Sequence, residues 1–294
     1  MKNKKNIGLL AALAALSVMA CSWYAAPPPP YVALPTPGEY FTTNDSDMNL
    51  WNGSASVPFP PGSVITGLSP EGEAAELTEL IIPPTINGVA ITAIGNSAFF
   101  QDWGEANRGS LTTVIIPAGI QIIGNMAFLN NSLTEVTIPG SVQSIGSVAF
   151  QDNFLTEVTI PANIQSIQQQ AFQNNFLAEV IIPASVQRIE NFTFTNNNLT
   201  EVTIPGSVQS IGVVAFASNL LTEVIIPASV HSIESQAFDS NPLTEVTFLG
   251  NPTTVHDWAF NPGGVDIVTG LQNVTTPPPF TFVRVGQGWE LLED

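Results

Sequence analysis

From Leu111 onward the apolar positions return every 22 residues, at Leu111, Leu133, Leu155, Leu177, Leu199, Leu221 and Leu243. One unit precedes them, starting at Leu77 and enlarged by 12 residues, so that eight units occupy residues 77–264. A representative unit, LTEVTIPGSVQSIGSVAFQDNF from Leu133 to Phe154, places apolar side chains at Leu133, Val136, Ile138, Val142, Ile145, Ala149 and Phe150. A single unit of this size cannot bury them. Stacked units can, because each coil covers the apolar flank of the next and the core becomes a sum of nearest-neighbour interfaces. One column of the pattern is aromatic: Phe99, Phe128, Phe150, Phe172, Phe194, Phe216, Phe238 and Phe260 predict a packed spine.

Within a unit, Val136 and Ile138 alternate with Glu135 and Thr137, the period-two pattern of a strand with one buried face. Proline follows at Pro83, Pro117, Pro139, Pro161, Pro183, Pro205 and Pro227 and ends that strand, because it has no N–H to give a ladder. Strands of successive units are therefore predicted to pair in parallel. The segment from Ile145 to Phe150 is too short for a regular helix, and a helical or 3₁₀ turn is expected there. The expected fold is a repeat solenoid, with a parallel β-sheet on one face and short strands, turns or 3₁₀ turns on the other.

The combination LTEV followed by IPxxVxxIGxxAFxxN resembles the BspA-like subclass of bacterial leucine-rich repeats, over about two-thirds of the chain. The resemblance implies a surface or secreted protein and, since several members of that subclass are adhesins, attachment to host matrix proteins or to other bacteria. It fixes the fold more firmly than the function, because function resides in sites carried on a fold.

Composition alters the list of partners. Hydrophobic residues make up 44% of the chain and charged ones 10%, enough apolar material for a continuous core. Lys2, Lys4 and Lys5 all lie at the very start. Beyond residue 20, Arg108, Arg188 and Arg284 face 24 acidic residues, a formal balance of −21 without the histidines. Such a body repels phosphate backbones, so nucleic acid is excluded as a partner and anionic membrane surfaces are disfavoured.

The first residues carry their own information. A basic start, an apolar run from Ile7 to Leu16 and small residues up to Ala20 give the order of a signal peptide, 1–20. Val18, Met19, Ala20 and Cys21 resemble a bacterial lipobox, which implies cleavage before Cys21, the only cysteine, and a lipid on its sulfur. Residues 21–38 then form the lipidated cysteine and a proline-rich stalk, of which Ala25 to Gly38 can extend by roughly 40 Å as polyproline II. The membrane is expected to be a partner through that anchor alone, with the outer-membrane surface as the destination.

Residues pointing away from the core are the candidate binding site. Glu135, Glu157, Glu179, Glu201, Glu223 and Glu245 form one column, beside Thr137, Thr159 and Thr203 in a second column shared with Ile115, Ile181, Ile225 and Thr247. At an inter-strand spacing of about 4.8 Å, neighbouring carboxylates repel by roughly 0.8 kcal/mol each in water. The pattern reads either as an acidic strip for a basic partner or as a solvated face multiplied by repeat copying, since residues 133–146 and 199–212 are identical. Trp103 and Arg108 lie in the enlargement of the first unit and suit an interface anchor or a tolerated insertion. Asn131, Asn153, Asn175, Asn197, Asn219 and Asn241 are expected to satisfy turn backbone.

Catalytic chemistry has little to work with. His231 and His256 stand outside any nucleophile–base motif, and His231 replaces the glutamine found at Gln143, Gln187 and Gln209. A ladder of equivalent carboxylates lacks the differing environments that acid–base chemistry requires. Asp45, Asp47 and Asn49 imitate the start of a calcium loop, but Leu50 occupies the glycine position, so no metal or other cofactor is assigned. Residues 39–76 are expected to cap the first coil and 265–294 the last, with Phe280 to Trp289 supplying a strand pair. Two function classes follow: an adhesin-like protein binder, or a structural or assembly component of the envelope.

Overall fold

The computed structural model describes residues 41–44, 48–51, 56–60, 62–68, 77–100, 109–256, 258–260, 267, 271, 278–285 and 288–292. The repeat folds as a parallel β-solenoid in which successive units are successive coils. One wall is made by the strands Glu79–Ile81, Thr113–Ile115, Glu135–Thr137 and Glu157–Thr159, which pair in parallel with zero slip, Glu135 opposite Glu157. It continues through Glu179–Ile181 paired with Glu201–Thr203, and Glu223–Ile226 paired with Glu245–Phe248. The second wall holds shorter strands, from Ala93–Ile94 and Ile122–Ile123 through Ser144–Ile145 and Ser210–Ile211 to Thr254–Val255.

The third side differs from the helical or 3₁₀ turn that the spacing predicts. In the coil of Gly146 it consists of two consecutive tight turns, closed by Ala149 N–H donating to the Gly146 carbonyl (3.3 Å) and Gln151 N–H to the Val148 carbonyl (3.2 Å). The i→i+3 bonds are those of a 3₁₀ turn, but Val148 lies in the left-handed region at φ 64° and stops the chain winding on. Stacking explains the choice: the N–H groups of Val148, Phe150 and Asp152 donate to the carbonyls of Gln169, Ala171 and Gln173 on the next coil. Intercoil bonds therefore run on all three sides of the coil, leaving few buried backbone groups to satisfy by other means.

Leu, Val, Ile, Ala and Phe of each unit fill the interior. Phe128, Phe150, Phe172, Phe194, Phe216, Phe238 and Phe260 stack with ring centroids separated by 5.2–5.7 Å and nearly parallel planes. Phe99 joins them at one end, and Phe41 meets Phe99 edge-on at 6.5 Å. Each asparagine of the buried column is a bracket between coils: Asn175 donates to the Phe150 and Phe172 carbonyls, and its Oδ1 accepts from Leu155 N–H. The corner after the strand is turned at Pro139, Pro161, Pro183, Pro205 and Pro227, whose carbonyls accept a bond from three residues on, as in Val142 N–H to Pro139.

Both ends of the stack meet antiparallel strands. Phe41–Thr43 runs against Val64–Leu68, which itself pairs in parallel with Ala93–Ile94. At the other end Phe280–Val285 lies antiparallel to Glu245–Phe248, followed by Gly288–Leu291. Phe248, Phe280 and Phe282 pack together there, and Trp289 is buried with them. Among the described residues no helix is long and apolar enough to cross a membrane.

Candidate functional site

Strand alternation decides what the first wall shows to solvent. Val136, Val180 and Val224 point inward and are buried, so Glu135, Glu179 and Glu223 and the residues two positions on point outward. Zero-slip pairing aligns Glu135 with Glu157, Glu179 with Glu201 and Glu223 with Glu245. All six glutamates are exposed, as are Thr137, Thr159 and Thr203. The structure thus brings these nine residues onto one surface. Thr247 belongs to the same column but is half-buried, because its hydroxyl bonds that of Thr281 on the added strand (2.8 Å).

Three contributions to this surface were not singled out from the sequence. Glu79 is exposed and extends the acidic column beyond Thr113, with which it is in register. Thr112, Thr134, Thr156, Thr200, Thr222 and Thr244 form another exposed column, and several of their hydroxyls donate to the carbonyl of the preceding coil, Thr244 to Thr222 at 3.1 Å. Finally, the corner before the strand carries Phe154 and Phe176, stacked at 5.8 Å, and then Leu220; Phe176 is 47% exposed and Leu220 49%. The signal for the last was available: at that position Ser132, Phe154, Phe176, Asn198, Leu220 and Pro242 differ from one another, while the core positions beside them do not.

Cys21, Trp103, Arg108, Asp45 and Asp47 fall outside the described residues. Two ion pairs lie away from the acidic column: Arg188 meets Glu190 at 3.6 Å, and His256 Nε2 meets Glu234 at 3.0 Å, both on the second-wall side of the coil. His231 is exposed in the glutamine column. Among the described residues no group of three or more histidine, cysteine, aspartate or glutamate side chains is placed to hold a metal ion. Chemically, the wall can offer carboxylate acceptors, threonine hydroxyls and a few apolar side chains to a partner lying flat on it.

The sequence matches the family described as BspA type leucine rich repeat region, in six copies spanning residues 92–221 and 165–283. Among solved structures it is similar to a leucine rich cell surface protein of Faecalibacterium prausnitzii A2-165, at 23% identity and a TM-score of 0.56 over 85% of this chain and 60% of that one. The chain thus spans about 60% of the length of that relative. Less similar are the pneumococcal vaccine antigen PcpA (22% identity, TM-score 0.39, covering 61% of this chain and 54% of that one) and a T. pallidum leucine rich repeat protein (21%, 0.42, covering 69% and 76%). No curated protein matches the sequence.

Proposed function

The chain belongs to the BspA-type leucine-rich-repeat family, and from that premise we propose that it is an exported, cell-surface binding protein whose acidic wall captures a protein with a basic patch. The observation that carries the reading is the exposed column of carboxylates from Glu135 to Glu245, set in register within three successive strand pairs, Glu135 with Glu157, Glu179 with Glu201 and Glu223 with Glu245, on a body with a strongly negative charge balance. Paired strands fix the backbone beneath the glutamates, so a partner has little receptor entropy to remove on binding. Like charges arranged this closely gain when a cationic surface replaces the solvent ions between them.

Export and anchoring complete the proposal. Residues 1–20 act as the signal peptide, Cys21 carries the lipid, and the proline-rich segment to residue 38 lifts the repeats from the outer-membrane surface. Residues 39–76 and 265–294 act as caps on the repeats. Trp103 and Arg108 supply a further anchor, and the partner is a host matrix protein or the surface of another bacterium. No catalytic step is assigned to it.

Binding of the full chain to immobilised matrix proteins and to bacterial cells tests the reading. Replacing Glu157, Glu179, Glu201 and Glu223 by glutamine is expected to abolish capture with the fold unchanged; unaltered capture discards the acidic wall as the site. Protease treatment of intact cells tests the location, since an envelope component facing the periplasm is spared and a surface protein is cut. Cys21→Ser is expected to move the protein out of the detergent phase on membrane extraction.

A further inference from the structure

The acidic wall is not uniform. In one coil the outward residues are Phe176, Ala178, Glu179 and Ile181, with Ile181 72% exposed. Two coils further on they are Leu220, Thr222, Glu223 and Ile225, with Ile225 57% exposed. The coil between them is polar throughout its exposed face: Asn198, Thr200, Glu201 and Thr203. Two apolar rails therefore border a polar floor with Glu201 near its middle. Scattered exposed apolar side chains need no explanation, but four of them framing one carboxylate form a shaped surface.

The dimensions suit one kind of occupant. The rails are two coils apart, about 9.6 Å at the usual strand spacing, so a chain of methylenes lying midway is about 4.8 Å from each rail axis, close to the 4.0–4.5 Å of an apolar contact. Thr203 is shorter than the isoleucines on either side and leaves the gap open. Beneath the floor Val202 is half-buried, while Val180 and Val224 under the rails are buried. Two residues along the same strand, roughly 6.6 Å from Thr203, stands the Glu201 carboxylate, a distance within the reach of a lysine or arginine stem. Glu179 and Glu223 flank it on the rails.

We propose that this trough is a recognition site for the basic side chains of an extended protein segment, with one methylene stem held between Ile181 and Ile225 and its cationic head on Glu201, and with neighbouring cations on Glu179 and Glu223. The inference rests on the acidic wall being the binding face and specifies what it selects: long-stemmed cations rather than positive charge alone. Charge complementarity supplies the attraction, and the rails supply the preference, because methylenes taken out of water favour binding and a cation on a short stem forgoes them.

Two peptides separate these contributions. One alternates lysine and serine over eight residues; the other has diaminobutyric acid in place of lysine, with the same charge and a stem shorter by two methylenes. Binding to the full chain at neutral pH and low salt is read by fluorescence anisotropy. The lysine peptide is expected to bind about tenfold more tightly, the equivalent of two buried methylenes. In Ile181→Thr/Ile225→Thr the ratio falls to about one while both peptides still bind; threonine already occupies this position at Thr137, Thr159 and Thr203, so the coil retains its fold, as a thermal melt checks. Equal binding of the two peptides to the native chain, or a preference that survives in the double variant, overturns the trough and leaves the acidic wall standing. Failure of both peptides to bind removes the basic-partner reading and the trough with it.

Discussion

Asn125 and Gly146 show how one residue depends on another a coil away. Asn125 Oδ1 accepts from Ser147 N–H at 2.8 Å, and a Cβ on Gly146 would lie 2.5 Å from the Asn125 nitrogen. The same arrangement joins Asn96 to Gly124 and Asn191 to Gly212. Where the preceding coil has no asparagine there, at Ser147, Gln169, Val213 and Ser235, the next coil carries Gln168, Glu190, Glu234 and His256 in place of glycine. Gly146→Gln should therefore cost about 1–3 kcal/mol as overpacking, whereas Asn125→Ser/Gly146→Gln recreates the native Ser147–Gln168 pairing and should recover most of it. A double-mutant cycle in urea measures this, and additive losses refute it. The buried asparagines divide in a comparable way. Asn197→Ala strips a partner from Leu177 N–H and from two phenylalanine carbonyls, for a loss of about 2–4 kcal/mol. Asn131→Ala should cost less, because the buried Asn131 Oδ1 has no hydrogen-bond partner among the described residues.

At the scale of the coil, these pairings make units with one sequence pattern unequal. Deleting residues 133–154 places Asn125 against Gln168, while deleting 155–176 places Ser147 against Glu190. Each deletion removes one coil and one phenylalanine of the spine, so nearest-neighbour additivity alone predicts equal losses. The steric argument predicts that the first variant melts at a lower temperature than the second, and equal melting temperatures count against it. The turns carry strain of their own. Gln236 is exposed at φ 59° and Ser218 at φ 56°, conformations that suit glycine and cost other residues about 1–2 kcal/mol. Gln236→Gly and Ser218→Gly are each expected to raise stability by up to about 1 kcal/mol in a thermal melt, since glycine's extra unfolded-state entropy offsets part of the gain.

For the whole molecule, charge is the main lever. The column from Glu135 to Glu245 contains five neighbouring pairs, each repelling by roughly 0.8 kcal/mol before screening. Glutamine at Glu157, Glu179, Glu201 and Glu223 interrupts every pair. At low ionic strength that variant should exceed the native chain in stability by up to about 4 kcal/mol, and the difference should vanish in 1 M salt, where the screening length is about 3 Å. A difference insensitive to salt would mean that the glutamates act through packing instead. The same substitution is thus expected to strengthen the fold while removing capture of a basic partner, as where a binding surface is kept at a cost in stability.

The 22-residue period was enough to determine the solenoid, the parallel wall that carries the glutamates, the phenylalanine spine and the inward or outward direction of the residues in its strands, because a stack of coils must bury the same positions in every copy. The column from Glu135 to Glu245 was legible for the same reason. Left-handed turns at Val148 and Val214 were not, since neither valine marks such a conformation; the intercoil hydrogen bonds impose it. Nor did the pattern single out Phe176, Ile181, Leu220 and Ile225 as a frame around Glu201. Outward positions are free of the burial that keeps the core uniform, so their grouping into a surface depends on coil spacing and on how far each side chain stands above its neighbours, which only the tertiary structure decides.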